Sequence, residues 1–228
     1  MKNNLKNSLK WKKLKILCLA FIIATSSMVS VPFFNQTLSV YASSLSNKEK
    51  KVYKKLLATD SFMKDAHKYN SVVPSKSIFT DETEFCMYDV MGDKRKELIL
   101  PDFYTCTTGG FGMVYYYNSK KKKLSYICSP GSISEVGIKN RIMCYRFPYD
   151  PSGYGHYIED RIYVIKNGKF ISTGYCMKDK GEAGGGITYW KNGKKIKKAE
   201  FMSYVKKYKL KPCKTYKNTK KNRDKYIK

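Results

Sequence analysis

The sequence predicts an α+β fold: N-terminal helices, a central antiparallel β-meander (a curved sheet), and a C-terminal amphipathic helix. Three observations carry this expectation. Apolar residues keep helical spacing near both ends of the chain, and runs rich in β-forming residues fill its middle. Those runs are separated by short turns with no helix between them. Strands joined so closely pair antiparallel, because parallel neighbours need a long crossover.

Each element has its own signal. Ser46-Asn47-Lys48-Glu49 is a capping box, in which the Ser46 hydroxyl accepts from the Glu49 amide and the Glu49 carboxylate reaches back. Behind it, Val52, Tyr53, Leu56 and Leu57 share one helical face, and Phe62, Met63, Ala66 and Tyr69 form a second set. Residues 46–70 are therefore helical, and Pro74 with the Ser-rich run 71–77 ends that region. Strands are expected at 85–90, 97–103, 111–118, 124–128, 133–138, 141–147, 157–166, 169–177 and 187–191. Asn167-Gly168 and Asn192-Gly193 supply the paired positive-φ positions of type I′ hairpin turns. Phe201, Tyr204, Val205 and Tyr208 line one side of a helix at 197–210, with Lys206, Lys207 and Lys209 opposite. Residues 43–210 then make a single globular domain, and the Lys- and Asn-rich stretch 211–228 is expected as a disordered basic tail.

The first 42 residues read as a secretory signal peptide. Six lysines precede an uncharged stretch from Ile16 to Phe34, and Val40-Tyr41-Ala42 places small residues before Ser43. Retention as a membrane anchor is the competing reading, but Ser26, Ser27, Ser30 and Pro32 dilute the second half of the stretch. No second apolar run of spanning length follows, so the cleaved chain has no transmembrane segment. The protein is thus expected to be secreted or associated with the cell wall. Its net charge of +27 falls only to +21 without the leader, which suits an anionic wall polymer or acidic glycan as partner. The positive charge is almost all lysine, with five arginines, so the bidentate phosphate readers of specific nucleic-acid recognition are scarce.

Several chemistries find no support. Two histidines, His67 and His156, are too few for a multi-histidine metal site. The absence of C-x-x-C disfavours a zinc ribbon or a thioredoxin-like centre. Cys86, Cys106, Cys128, Cys144, Cys176 and Cys213 follow the leader, an even number that permits three disulfides in pairings the sequence leaves open. The glycine runs at 109–110 and 184–186 precede strands, which removes the helix N-terminus a phosphate loop needs.

Charge singles out one segment. Asp81, Glu82, Glu84, Asp89, Asp93, Glu97 and Asp102 form an acidic island in an otherwise cationic chain. Its centre, Tyr88-Asp89-Val90-Met91-Gly92-Asp93-Lys94-Arg95-Lys96-Glu97-Leu98-Ile99, resembles the D-I-N-G-D-G-x-x-E-L-I segment of FG-GAP (integrin-like) calcium loops. With Gly155-His156-Tyr157, Ile165-Lys166-Asn167-Gly168-Lys169-Phe170 and Asn192-Gly193-Lys194-Lys195, it is similar to small secreted Gram-positive proteins carrying one such loop on a Tyr-rich meander. The resemblance implies calcium as cofactor, with Asp89, Asp93 and Glu97 as carboxylate ligands and Arg95 giving its backbone carbonyl. Met91 stands where the pattern has an oxygen donor, and Lys94 where it has glycine. Read without the metal, the same segment is a strand–turn–strand in which Asp89 and Asp93 accept backbone N–H groups.

Elsewhere, His156, Tyr154 and Tyr157 sit together in a glycine-rich aromatic loop and are candidates for ligand contact. Cys176 with His156 is a formal nucleophile–base pair. Asp150, Glu159 and Asp160 are the carboxylates of a hydrolase reading, although Glu159 and Asp160 point to opposite faces of a strand. The expected function is a secreted binding module for an anionic or glycan polymer, supported by calcium. A glycan-active extracellular hydrolase and a non-catalytic surface assembly component stand as the alternatives. The export reading predicts that protein recovered from culture medium begins at or within a few residues of Ser43 on N-terminal sequencing, whereas an anchor would begin at Met1 in membranes.

Overall fold

The computed structural model describes residues 44–69, 83–106, 109–146, 157–179 and 186–228, with the backbone alone for 103–106 and 109. The leader, Tyr154, His156 and the Cys106 side chain lie outside the described residues. Helix α1 (Asn47–Ala58) begins at the expected capping box: Glu49 N donates to Ser46 Oγ at 3.3 Å, and Ser46 N donates to Glu49 Oε2 at 2.8 Å. Asp60, at φ 49°, turns the chain into helix α2 (Phe62–Tyr69). Tyr53, Leu56 and Leu57 of α1 and Phe62, Met63 and Ala66 of α2 are buried as their spacing predicts, whereas Val52 is half-buried and Tyr69, at the end of α2, is exposed.

Ten strands follow: β1 (Glu84–Tyr88), β2 (Glu97–Cys106), β3 (Gly109–Asn118), β4 (Lys123–Cys128), β5 (Ser132–Val136), β6 (Arg141–Arg146), β7 (Ile158–Lys166), β8 (Lys169–Asp179), β9 (Ile187–Lys191) and β10 (Lys194–Ile196). Then come helix α3 (Lys198–Lys207), strands β11 (Lys211–Pro212) and β12 (Tyr216–Lys217), and helix α4 (Lys220–Tyr226). The fold class is α+β, and every strand pair is antiparallel. Both Asn-Gly pairs turn as their chemistry requires, with φ of 53° and 68° at Asn167 and Gly168, and 49° and 76° at Asn192 and Gly193.

The meander is divided between two sheets. The first runs β12-β1-β2-β3-β4 and the second β10-β9-β8-β7-β6-β5-β11. They part at Ser129-Pro130-Gly131. There Ser129 N donates to Gly112 O at 2.9 Å, and Gly112 N reaches both Ser129 Oγ at 2.7 Å and Gly131 O at 3.2 Å. A side chain at Gly112 would meet Pro101 O at 2.7 Å and the Ile133 side chain at 2.9 Å, and one at Gly131 would collide with Tyr145 O. Gly112 thus leaves room for Ile133 of the second sheet to pack against the first, and Gly131 lets the chain turn closely alongside β6.

Strand alternation distributes the apolar residues among layers. Phe85, Leu98, Leu100, Met113 and Tyr115 point from the first sheet towards α1 and α2. Cys86, Ile99 and Val114 point the other way and meet Ile133, Val136, Ile142, Cys144, Tyr163 and Ile165 of the second sheet. On the second sheet's far side, Met143, Ile162 and Tyr189 pack with Phe201 of α3, and Tyr175 stacks on Tyr204 at 3.9 Å between ring centroids. The result is four layers, helix–sheet–sheet–helix. No helix among the described residues is long and apolar enough to cross a membrane.

The C-terminal segment departs from expectation. Residues 211–228 are not a disordered tail but a strap built into both sheets. Strand β11 pairs with β5 through Lys211 and Val136, and β12 pairs with β1 through Tyr216 and Phe85. Thr219 caps α4, Tyr216 stacks on Tyr226 at 3.4 Å, and Lys54 meets Asp224 at 2.9 Å. Buried Asn218 donates to Leu57 O at 2.9 Å and accepts from Arg223 at 2.8 Å. Low mean apolar content argued for disorder, but Leu210, Tyr216, Tyr226 and Ile227 fall where the folded chain offers apolar partners. Ile227, 1% exposed, belongs to the helix–sheet core. Ile227→Ala should therefore cost about 2–5 kcal/mol in denaturant unfolding, as a buried aliphatic truncation does.

Candidate functional site

The acidic loop joins β1 to β2, and its carboxylates serve the protein itself. Asp89 accepts from Gly92 N at 2.7 Å, Asp93 N at 3.1 Å and Lys94 N at 2.9 Å. Asp93 accepts from Arg95 N at 3.0 Å and from the Arg95 guanidinium at 3.0 and 2.6 Å. Glu97 turns inward and accepts from Val90 N at 2.8 Å and Met91 N at 3.0 Å. Gly92 and Lys94 have φ of 71° and 68°, so Lys94 holds the left-handed conformation that the loop pattern gives to glycine. Arg95 engages through its side chain, with Nη1 also 3.5 Å from Glu49 Oε1, which ties the loop to α1.

These residues gather as the sequence predicts, in the turn chemistry of its metal-free reading. Burial pushes the Glu97 carboxyl up to about 8, against the lowering effect of the Met91 and Val90 amides, and the charges of Asp93 and Asp89 add to the rise. Calcium entering here would have to displace both the Arg95 guanidinium from Asp93 and a proton from Glu97. Among the described residues, no group of three or more His, Cys, Asp and Glu side chains is arranged to hold a metal ion.

The largest chemical concentration lies in the second sheet. Strand β7 places Glu159, Arg161, Tyr163 and Ile165 on the face turned towards the first sheet. Tyr163 and Ile165 are covered there, whereas Arg161 opens into a cavity of about 450 Å³ lined also by Ser172, Cys176, Lys178, Trp190 and Asn192. The register Arg161↔Cys176↔Trp190 sets three strands level, and Trp190 Nε1 is held by Thr188 Oγ1 at 3.1 Å. Gly174, at φ 81°, forms the bulge that makes this register: continuing the hairpin's pairing would set Arg161 opposite Gly174 instead. Lys178 also lies over the Tyr157 ring at 5.3 Å, so Tyr157 is the one aromatic-loop candidate that the described residues bring beside this cavity.

Glu159 is the cavity's anchor. It is 1% exposed and accepts from Arg146 at 2.9 and 3.1 Å, from Arg161 Nε at 3.1 Å and from the Cys176 thiol at 3.2 Å. Burial raises its pKa, but the hydrogen bonds of Arg161 and Cys176 and the charges of Arg146 and Arg161 prevail and bring it down to about 2. A carboxyl so held stays ionised and cannot serve as a general acid. Cys176 is no activated nucleophile either, because burial first and Glu159 second push its thiol up to about 12. Asp160 faces the opposite side, as alternation requires, and burial with the neighbouring Asp179 charge raises it to about 6.

No protein-family model, curated protein or solved structure matches the chain. Within the site, the aromatic residue could be picked from the sequence, but Arg161 and Lys178 carried no local motif. Their meeting depends on the bulge.

Glu159 gives the site a pH signature. Its folded-state pKa lies below its ordinary value of 4.5, so its stabilisation is fully present above about 4.5 and is lost as pH falls through about 2. Glu159→Gln should remove that acid limb from a melting-temperature profile and weaken the protein at neutral pH by about 1–3 kcal/mol.

Proposed function

We propose that the protein is an exported, wall-associated binding module for an anionic polymer or acidic glycan, and that the Arg161–Lys178–Trp190 cavity receives one unit of that polymer. One observation supports this most: two cations and an indole converge on an open cavity of a size suited to a small ring, with Ser172 and Asn192 as polar partners. The indole offers a flat apolar face to a sugar ring, and the cations attract carboxylate or phosphate groups. Glu159 fixes the Arg161 guanidinium from beneath, so the side chain need not be ordered on binding. The lysine-rich surface adds a long-range field that concentrates the polymer near the protein.

The test is binding of the full chain to teichoic acid, heparin and a neutral glycan. Affinity for the two anionic polymers should fall as salt rises, since exposed charges are screened beyond about 8–10 Å at physiological ionic strength. Trp190→Ala and Lys178→Ala should each weaken binding about tenfold, the loss expected for a truncated central contact. Unchanged affinity in both variants would remove the cavity from the proposal and leave only a diffuse charge effect. Release of glycan fragments would instead support the hydrolase reading.

A further inference from the structure

Three cysteines far apart in sequence, Cys86, Cys144 and Cys213, meet in one cluster. Cys86 is wholly buried on the face of β1 that meets the second sheet, in the same cluster as Cys144 of β6. Cys213 packs against that cluster from the strap, immediately after β11. Two backbone contacts hold it there. Cys213 N donates to Ser134 O at 3.2 Å, and the next residue, Lys214, donates its N–H to Tyr88 Oη at 3.1 Å. Tyr88 lies two residues beyond Cys86 on the same face of the strand, so the strap crosses directly over Cys86. The Cys213 and Cys86 thiols are within hydrogen-bonding reach of each other.

We infer that Cys86 and Cys213 are a disulfide-forming pair that locks the C-terminal strap onto the first strand of the inter-sheet core. Cys213 is the half-exposed partner, so it meets the oxidant first. Its thiolate attacks one sulfur of a small-molecule disulfide such as oxidised glutathione, forming a mixed disulfide and releasing one glutathione thiol. The Cys86 thiolate then attacks the Cys213 sulfur and releases the second glutathione. Two protein thiols have lost two protons and two electrons, and the oxidant has become two thiols. Cys144 is the competing partner, two strands from the strap in the second sheet, whereas the strap passes directly over Cys86 where Lys214 meets Tyr88. The neighbouring Cys213 thiol and burial hold the Cys86 thiol well above its ordinary range, which makes its attack the slow step.

The experiment exposes the reduced full chain to oxidised glutathione, quenches with acid, denatures, alkylates free thiols and maps the peptides by mass spectrometry. Cys86 and Cys213 should escape alkylation together, in peptides that remain linked until reductant is added. Cys128 and Cys176 should stay alkylated. Closure should accelerate about tenfold for each pH unit while the Cys86 thiol remains mostly protonated. Cys213→Ser removes only the half-exposed partner and should leave Cys86 fully alkylatable. Linkage of Cys213 to Cys144, or both thiols still free after oxidation, would overturn the inference. So would a closure rate indifferent to pH.

Discussion

The first sheet has no face that it can leave to water. Phe85, Leu98, Leu100, Met113 and Tyr115 look one way and Cys86, Ile99 and Val114 the other, so the strands β1–β3 carry near-continuous apolar runs. An antiparallel sheet usually has one wet face. This one must be covered twice, and the remaining architecture follows from that need. The N-terminal helices cover one side. The chain's own second meander covers the other, folded back at a junction where Gly112 and Gly131 allow backbones to approach too closely for side chains.

The cover is incomplete, and the site exists because it is. The inner face of β7 begins under the first sheet at Ile165 and Tyr163, then leaves that shelter at Arg161. At this boundary Glu159 is buried, which would be costly for a lone carboxylate. Arg146, Arg161 and Cys176 satisfy it. The same interactions that make the charge tolerable hold Arg161 at the cavity. The buried charge and the placement of Arg161 at the cavity therefore depend on the same contacts.

Much of the fold was legible because it rests on local chemistry. The capping box at Ser46, the two Asn-Gly turns and the aromatic stripe from Phe201 to Tyr208 each specify their element within a few residues. What was not legible depends on pairings distant in sequence. The split into two sheets rests on glycines whose role appears only when Pro101 and Tyr145 arrive beside them. The strap was hidden by its lysines, because composition averages away the few apolar residues that do the packing. The acidic loop was found by its charge, and its turn chemistry was among the readings available. Cys176, Glu159 and Tyr157 stood among the candidates, but their meeting with Arg161 and Lys178 was not legible, since the bulge at Gly174 decides which side chains stand level across β7, β8 and β9.

The strap also protects one edge of each sheet. Strand β12 lies at one edge of the first sheet and β11 at one edge of the second, each only two residues long, and Pro212 in β11 cannot donate to a further strand. Until they dock, the edges of β1 and β5 present unpaired backbone groups to any passing strand. Both caps belong to the same strap. The docking of one short segment, residues 211–217, therefore closes an edge of each sheet at once.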